Sequence, residues 1–282
     1  MQRIPTTLSK SEVEQFERDG YVAVKGAFGR EDANAMQDAW WRELFDLYGI
    51  RRDNSSTWHQ PLRDLRGGKA SPMQTKMNTV RVRGAIDDLL GADTWHWPKH
   101  WGRAIVTFPQ GGVWDVPGHK DRQGAAMWHW DSPVEWHRSR LNGLFAFAFV
   151  GEVAPGGGGT SILAGSHRLL QHWHAEMSSG ARHDDGPKQR DWFQRAHPWL
   201  AALSGHLPSP TDRRSAFMEE GVEIEGVRLR AVELTGEPGD MVFAHPTIVH
   251  CTSRNCGTWP RMMRIGGVLA DRLRMKLGHR VE

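Results

Sequence analysis

The first fifty residues change hydrophobic period twice. Ser11-Glu12-Val13-Glu14 has the form of a capping box, which predicts a helix starting there and stopping at Gly20. Tyr21-Val22-Ala23-Val24 then reads as a short strand. Ala33, Met36, Trp40, Leu44 and Leu47 recur at helical spacing, so a second helix is expected from about residue 31 to 48, closed by Gly49. Residues 51–77 are polar and rich in Gly, Pro and Ser, which predicts loop. A short helix over 85–90 ends at Gly91.

Beyond residue 95 the period shifts toward two. Residues 104–108 read as a strand stopped by Pro109, and 144–150 as a strand apolar on both faces, hence central. Residues 222–234 predict a hairpin around Gly226, and Gly239-Asp240 a turn before a strand at 241–244. The stretch 167–220 interrupts the strands, with helical character over 191–203. Short strands separated by turns, with helices gathered at the N-terminus, predict a mainly β fold with α additions, a sandwich or jelly roll. The expected organisation is one domain: a helical region at 1–95, a β core at 96–166 and 221–270, and an insertion at 167–220.

Composition narrows the classes. A chain of 282 residues can bury roughly three quarters of its unfolded surface and needs no disulfide staples. The 36 basic and 33 acidic residues leave a net charge of only +3, and no run concentrates it except Arg272, Arg274, Lys276 and Arg280 near the end. A nucleic-acid partner is therefore not expected. No apolar run is long enough to span a membrane. Two cysteines, Cys251 and Cys256, match no zinc or redox spacing, and with no signal peptide the expected location is cytoplasmic. No protein partner is predicted. The unusual feature is 14 Trp against 2 Tyr. Trp95, Trp97, Trp101, Trp114, Trp128, Trp130 and Trp136 form a sequence cluster that can serve either as core or as a pocket wall.

Three constellations carry candidate chemistry. In Trp128-His129-Trp130-Asp131, an extended backbone over 127–131 would turn His129 and Asp131 to one side and the two indoles to the other. An imidazole and a carboxylate so placed, with one more His, make the two-His-one-carboxylate set of non-heme iron enzymes. His-x-Asp alone is common in a chain with 15 His. His250 is a candidate third ligand. Arg261, eleven residues on, can reach the same cavity from the next strand and grip a carboxylate through two parallel hydrogen bonds. Taken singly, a His at a strand end and an Arg in a surface ion pair are the better explanation of these two. The third constellation, Pro155 to Thr160 with four consecutive glycines and then Gly165-Ser166-His167-Arg168, has no Gly-Lys-Ser/Thr and is a permissive turn rather than a phosphate loop.

In the order His129-x-Asp131, Gly159-Thr160 with Gly165-Ser166-His167-Arg168, and His250, Asn255, Pro260-Arg261, the sequence resembles the phytanoyl-CoA dioxygenase family of iron(II)/2-oxoglutarate oxygenases. The run Phe16-Glu17-Arg18-Asp19-Gly20-Tyr21-Val22 resembles that family's opening helix and strand. The resemblance is thinnest at 50–95 and 170–220. It implies a double-stranded β-helix core, with His129, Asp131 and His250 as iron ligands and Arg261 on the far carboxylate of 2-oxoglutarate. It further implies that Thr252 offers a hydroxyl to that carboxylate, that Thr160 contacts the co-substrate or shapes the turn, and that Phe147 lines the pocket. The implied cofactors are iron(II), 2-oxoglutarate and dioxygen. The implied reaction oxidises a C–H bond of a small molecule with release of succinate and carbon dioxide. Halogenating relatives lack the carboxylate ligand, so Asp131 implies hydroxylation or a related oxidation.

Substrate residues are harder to place. Lys99, Arg103, Lys120, Arg138 and Arg140, with Trp128 and Trp130, suggest a substrate with an apolar surface and an anionic group. Arg103, on a predicted core strand, is the strongest of the cations. A zinc hydrolase on the same ligands, or a non-catalytic β-sandwich binding module, are the competing readings.

Overall fold

A computed structural model describes residues 7–59, 62–65, 72–118, 128–180 and 186–278. The N-terminal helix α1 (Lys10–Asp19) is capped by Ser9, not Ser11: the Ser9 side chain accepts from the Glu12 amide and Glu12 accepts from the Ser9 amide. Both serines precede a Glu by three residues, so spacing alone does not separate them. Strand β1 (Tyr21–Val24) and helix α2 (Arg30–Tyr48) follow as expected. Ala33, Met36, Trp40 and Leu44 form the buried stripe of α2, but Leu47 lies exposed.

Residues 51–77 are not all loop. Strand β2 (Leu62–Leu65) pairs with β3 (Arg103–Thr107) at the edge of a sheet. Asp64 of this edge strand pairs with Arg103 of β3. Helix α3 (Val80–Leu90) starts five residues before the predicted point, capped by Thr79. The remaining strands are β4 (Gly143–Phe149), β5 (Ser161–Ala164), β6 (Val222–Ile224), β7 (Val227–Glu233), β8 (Met241–Ala244), β9 (His250–Cys251) and β10 (Arg261–Leu269). The interruption between β5 and β6 is more helical than expected: α4 (Ser166–Gly180), α5 (Gly186–Arg195), α6 (Pro198–Leu203) and a wide turn of helix at Ser215–Glu220. A last helix, α7 (Asp271–Lys276), follows β10.

The strands form two antiparallel sheets, ordered β1-β8-β4-β10-β3-β2 and β6-β7-β5-β9. Strand β4 is central, between β8 and β10. Its period-two alternation divides the core. Leu144, Ala146 and Ala148 face the apolar layer built by α1, α2 and α3, while Phe147 and Phe149 face Ile162, Val242 and Met263 between the sheets. A third apolar cluster joins the smaller sheet, through Leu163, Leu229 and Ala231, to α4, α5 and α6 through Leu169, Trp173, Phe193 and Leu200. The inserted helices thus cover the outer face of the smaller sheet as the N-terminal helices cover the larger one. Among the described residues no helix is long and apolar enough to cross a membrane.

The close approach of the chain entering β3 to its neighbour β10 depends on glycine. Gly102 has φ +72°, and a Cβ there would lie 2.0 Å from the Ile265 carbonyl oxygen and 2.4 Å from the Gly266 Cα. Gly102→Ala is expected to destabilise the protein by about 3 kcal/mol or more, because the strain of a left-handed residue adds to displacement of β10. Gly26→Ala, also at positive φ but with open space around it, should lose only about 1–2 kcal/mol. Urea denaturation of the two variants checks the contrast, and equal losses would refute the packing argument.

Candidate metal centre

The segment Trp128–Asp131 is not a regular strand. It makes a single antiparallel bridge, in which the His129 amide donates to the His250 carbonyl (2.9 Å) and the His250 amide donates to the His129 carbonyl (2.7 Å). That pair is enough to set the two imidazoles side by side, with ring centroids 4.5 Å apart. Asp131, two residues on, returns to the same side: its Oδ1 lies 3.5 Å from His129 Nε2 and its Oδ2 lies 3.5 Å from His250 Nε2. One ligand atom from each of the three falls within 4.8 Å of the others, and among the described residues no other His, Cys, Asp and Glu side chains gather in this way.

The ring of His250 is fixed by its neighbours. Its Nδ1 lies 3.0 Å from the Ile248 carbonyl, which can only accept, so Nδ1 carries a hydrogen and Nε2 is the ring nitrogen turned to Asp131. A backbone carbonyl on the outer nitrogen is the usual second support of a metal-binding His. The Asp131 carboxyl is held below its ordinary range, first by its hydrogen bond with His250 and against the opposing effect of burial. Strand β9 is itself pinned. The Val249 amide donates to Ser166 Oγ (2.9 Å), so the Gly-Ser-His-Arg motif at the start of α4 fixes the approach to His250. Ser161 and Ser253 hydroxyls meet at 2.6 Å between β5 and the end of β9.

Arg261 opens β10 and is 1% exposed. Its Nη1 donates to the Gly158 carbonyl (2.9 Å) and approaches Thr160 Oγ1 (3.4 Å), so the predicted Arg and Thr do meet. Its Nε has no partner among the described residues. Burial pushes the guanidinium down to about 10, with Glu233 acting in the other direction, so the group remains a cation at neutral pH. Thr252 Oγ1 is likewise buried with no hydrogen-bond partner among the described residues. Buried donors left unpaired cost free energy, and each is of a kind that a carboxylate oxygen would satisfy. Phe147 is fully buried, with its ring 6.3 Å from that of His250.

Two further residues support this arrangement: Asn255, part of the motif quoted above, and Glu233, which carried no sequence signal. Asn255 Nδ2 donates to the carbonyls of Thr107 and Trp259 (2.9 Å each), and its Oδ1 accepts from the Gly257 amide (3.0 Å). It ties the loop before Arg261 to β3. Glu233 accepts from the amides of Gly156 (2.7 Å), Gly158 (3.1 Å) and Gly159 (3.0 Å). The four-glycine turn therefore is an anion cradle, but one filled by the chain's own carboxylate. Burial raises the Glu233 carboxyl, and these three amides oppose the rise.

The suggested substrate residues are placed otherwise. Arg103 is at the outer end of β3, its side chain 57% exposed and paired with Asp64 of β2 at 2.8 Å. The expectation that it faces the interior fails because it is the first residue of its strand. Trp128 and Trp130 are buried, 2% and 5% exposed, in the cluster beneath α5; Trp128 donates to the Pro117 carbonyl and Trp130 packs on Phe193. They are core side chains, and so is Trp114. Trp95 and Trp101 each pack edge-to-face on Trp97 elsewhere, with Arg83 over the rings of Trp95 and Trp97. Apart from Trp136, the tryptophan cluster of the sequence is thus divided between two cores. Arg138 and Arg140 are exposed, and Lys120 and Arg280 lie outside the described residues.

Two antiparallel sheets, with a His-x-Asp segment bridged to a distal His at one end, define a jelly roll of the double-stranded β-helix type carrying a candidate facial metal triad. Crystal structures of EctD from S. alaskensis share the fold. The form with bound Fe is 18% identical, with a TM-score of 0.53 over 100% of this chain and 82% of that one. The form with 2-oxoglutarate and 5-hydroxyectoine is 18% identical, with a TM-score of 0.52 over 100% of this chain and 81% of that one. No protein-family model and no curated protein sequence matches the chain.

Proposed function

We propose that the protein is an iron(II)- and 2-oxoglutarate-dependent oxygenase, one domain over 1–282, that oxidises a C–H bond of a small molecule, with hydroxylation as the reaction. The observation that carries this reading is the convergence of His129, Asp131 and His250 together with a fully buried cation, Arg261, that has an unsatisfied Nε. The metal alone would suit zinc; the buried Arg and the unpaired Thr252 hydroxyl favour a dicarboxylate co-substrate beside it. The motif order resembles that of the phytanoyl-CoA dioxygenase family, and the similarity of fold to EctD crystallised with Fe and with 2-oxoglutarate supports the broader iron(II)/2-oxoglutarate class.

His129, Asp131 and His250 would hold iron through Nε2, a carboxylate oxygen and Nε2. When bound, iron(II) with 2-oxoglutarate and dioxygen supplies an oxidant that converts R–H to R–OH, with succinate and carbon dioxide as the other products. The chain's own residues set the conditions. The Ile248 carbonyl holds a His250 proton on Nδ1 and so leaves Nε2 as the nitrogen turned to Asp131. Arg261, held by Gly158 and Thr160, orients the remote carboxylate of the co-substrate, with Thr252 as a second donor. Phe147 and Ile162 keep the space between the sheets apolar. Asp131 would fill a ligand position on iron that chloride needs, which favours oxygen insertion over halogenation.

Adding iron(II) and 2-oxoglutarate without dioxygen to the metal-free protein is expected to give the weak visible charge-transfer band of a chelated 2-oxo acid. Asp131→Ala should lose or shift it. A wild type with no band that binds zinc tightly would instead make the hydrolase reading the better one.

A further inference from the structure

The segment that carries His129 and Asp131 has two hydrogen-bonding edges. On one, the His129 amide and carbonyl pair with His250 of β9. In extended backbone the neighbouring residues turn their carbonyls the opposite way, and the Trp128 and Trp130 carbonyls do so. Among the described residues no strand meets that edge. Helix α5 meets it instead. Gln194 Nε2 donates to the Trp128 carbonyl at 2.6 Å, and Arg190 Nη2 donates to the Trp130 carbonyl at 2.9 Å.

The spacing explains why a helix can do this. Arg190 and Gln194 are four apart, on one helical face, separated by roughly 6 Å of rise. Carbonyls two apart on an extended chain are separated by roughly 6.6 Å. One turn of helix therefore matches one repeat of strand. Gln194 is 2% exposed and is fixed in turn: its Oε1 lies 2.9 Å from His206 Nε2, and since Oε1 only accepts, that nitrogen carries the hydrogen. Between the two donors, Phe193 packs its ring on Trp130, with centroids 5.8 Å apart.

We propose that α5 acts as the missing neighbouring strand of the metal site, with Arg190 and Gln194 as positioning residues that hold residues 128–131 extended so that His129 and Asp131 face His250. The proposal rests on the metal reading given above. It makes the insertion between β5 and β6 a wall of the site. The consequence is geometric: without these two bonds the backbone of the segment keeps, among the described residues, only its bridge to β9, and the two ligands lose their fixed relation.

Cobalt(II), which reports its coordination in visible absorption, tests this on the full chain without turnover. Wild type, Gln194→Met, Arg190→Met and Arg190→Lys are stripped of metal and titrated, with affinity measured by competition against a chelator. Wild type is expected to bind one cobalt(II). Gln194→Met and Arg190→Met should each bind roughly tenfold or more weakly, with an altered absorption envelope, as for loss of other outer supports of metal ligands. Arg190→Lys, which keeps a donor and the charge, should recover to within about threefold. Urea denaturation of the metal-free forms runs alongside. Variants that lose stability yet keep wild-type cobalt affinity and spectrum would overturn the positioning role. If buried Gln194→Met fails to fold, the half-exposed Arg190 pair decides the matter alone. Failure of the wild type itself to bind cobalt(II) would overturn the metal reading and this proposal with it.

Discussion

Arg261→Ala is expected to raise the 2-oxoglutarate concentration needed for half-saturation about thirtyfold while leaving the metal bound. Arg261 is a buried cation whose Nη1 is engaged by Gly158 and whose Nε has no partner among the described residues. Hydrogen bonds to a charged group contribute roughly 1.5–3 kcal/mol, and a loss of about 2 kcal/mol is about thirtyfold in affinity. The metal ligands lie on other segments, so iron or cobalt affinity should stay near the wild-type value. Arg261→Lys should fall between: the charge remains, but a single ammonium cannot reproduce two parallel bonds and still reach Gly158. Calorimetric titration of 2-oxoglutarate into the metal-loaded variants measures both effects. An unchanged affinity in Arg261→Ala would sink the assignment of this residue to the co-substrate, whatever the metal result.

Much of the architecture was legible because it rests on local rules. Gly20 and Gly49 end helices in the left-handed conformation that glycine adopts most easily. The apolar run 144–150 is central because both of its faces are covered, by helices on one side and the smaller sheet on the other. What was not legible depends on partners distant in sequence. Strand β2 exists because β3 offers it an edge, and nothing in Leu-Arg-Asp-Leu announces that. The His129 segment is not a strand of a ladder, yet its two-residue spacing still places the ligands together, since one bridge to His250 and two bonds from α5 keep it extended.

The candidate site divides in the same way. His129, Asp131, His250 and Arg261 could be picked out because their residue types are chemically unusual together and their order is distinctive. Glu233 could not, because its partners are backbone amides 74 to 77 residues earlier. Nor could Arg190 and Gln194, which act on carbonyls and leave no pattern of side-chain types. The opposite error is also instructive. Arg103 and the indoles of Trp128 and Trp130 looked functional by type, but a residue's strand position and its burial decide its role: Arg103 is at a strand end in water, and the two indoles fill the space under α5.

Between pH 7 and pH 4 the metal-free protein is expected to lose about 6 kcal/mol of stability through two histidines alone. His137, His167 and His245 lie in a buried row, with ring centroids of His137 and His245 at 5.6 Å and of His167 and His245 at 4.8 Å. His137 and His245 each accept at one ring nitrogen, as only a neutral ring can. His137 Nδ1 accepts from the Asn142 amide, so its Nε2 donates to Ser132; His245 Nδ1 accepts from the Thr247 amide; His167 Nε2 donates to the Glu17 carbonyl. Burial pushes His137 and His167 down to about 4, with Arg272 adding to the first and Arg168 to the second, while the Glu17 carbonyl and Asp19 pull His167 back. His245 goes well below its ordinary value, through burial and then through the other two rings. A histidine whose folded value is below its unfolded one binds its proton more readily in the unfolded chain. Its contribution is therefore fully present above about pH 6.5 and is lost as pH falls toward about 4. A shift of about 2.5 units is roughly 3 kcal/mol per residue, a large part of the ~5–15 kcal/mol that holds a domain folded. Carboxyls held low, such as Asp131 and Asp240, give way only below that window. Urea midpoints measured from pH 7.5 to 4.5 should fall steeply in the wild type and less steeply in a His137→Gln, His167→Gln double variant. The same slope in both would show that these rings titrate normally in the folded protein and that the row carries no pH dependence.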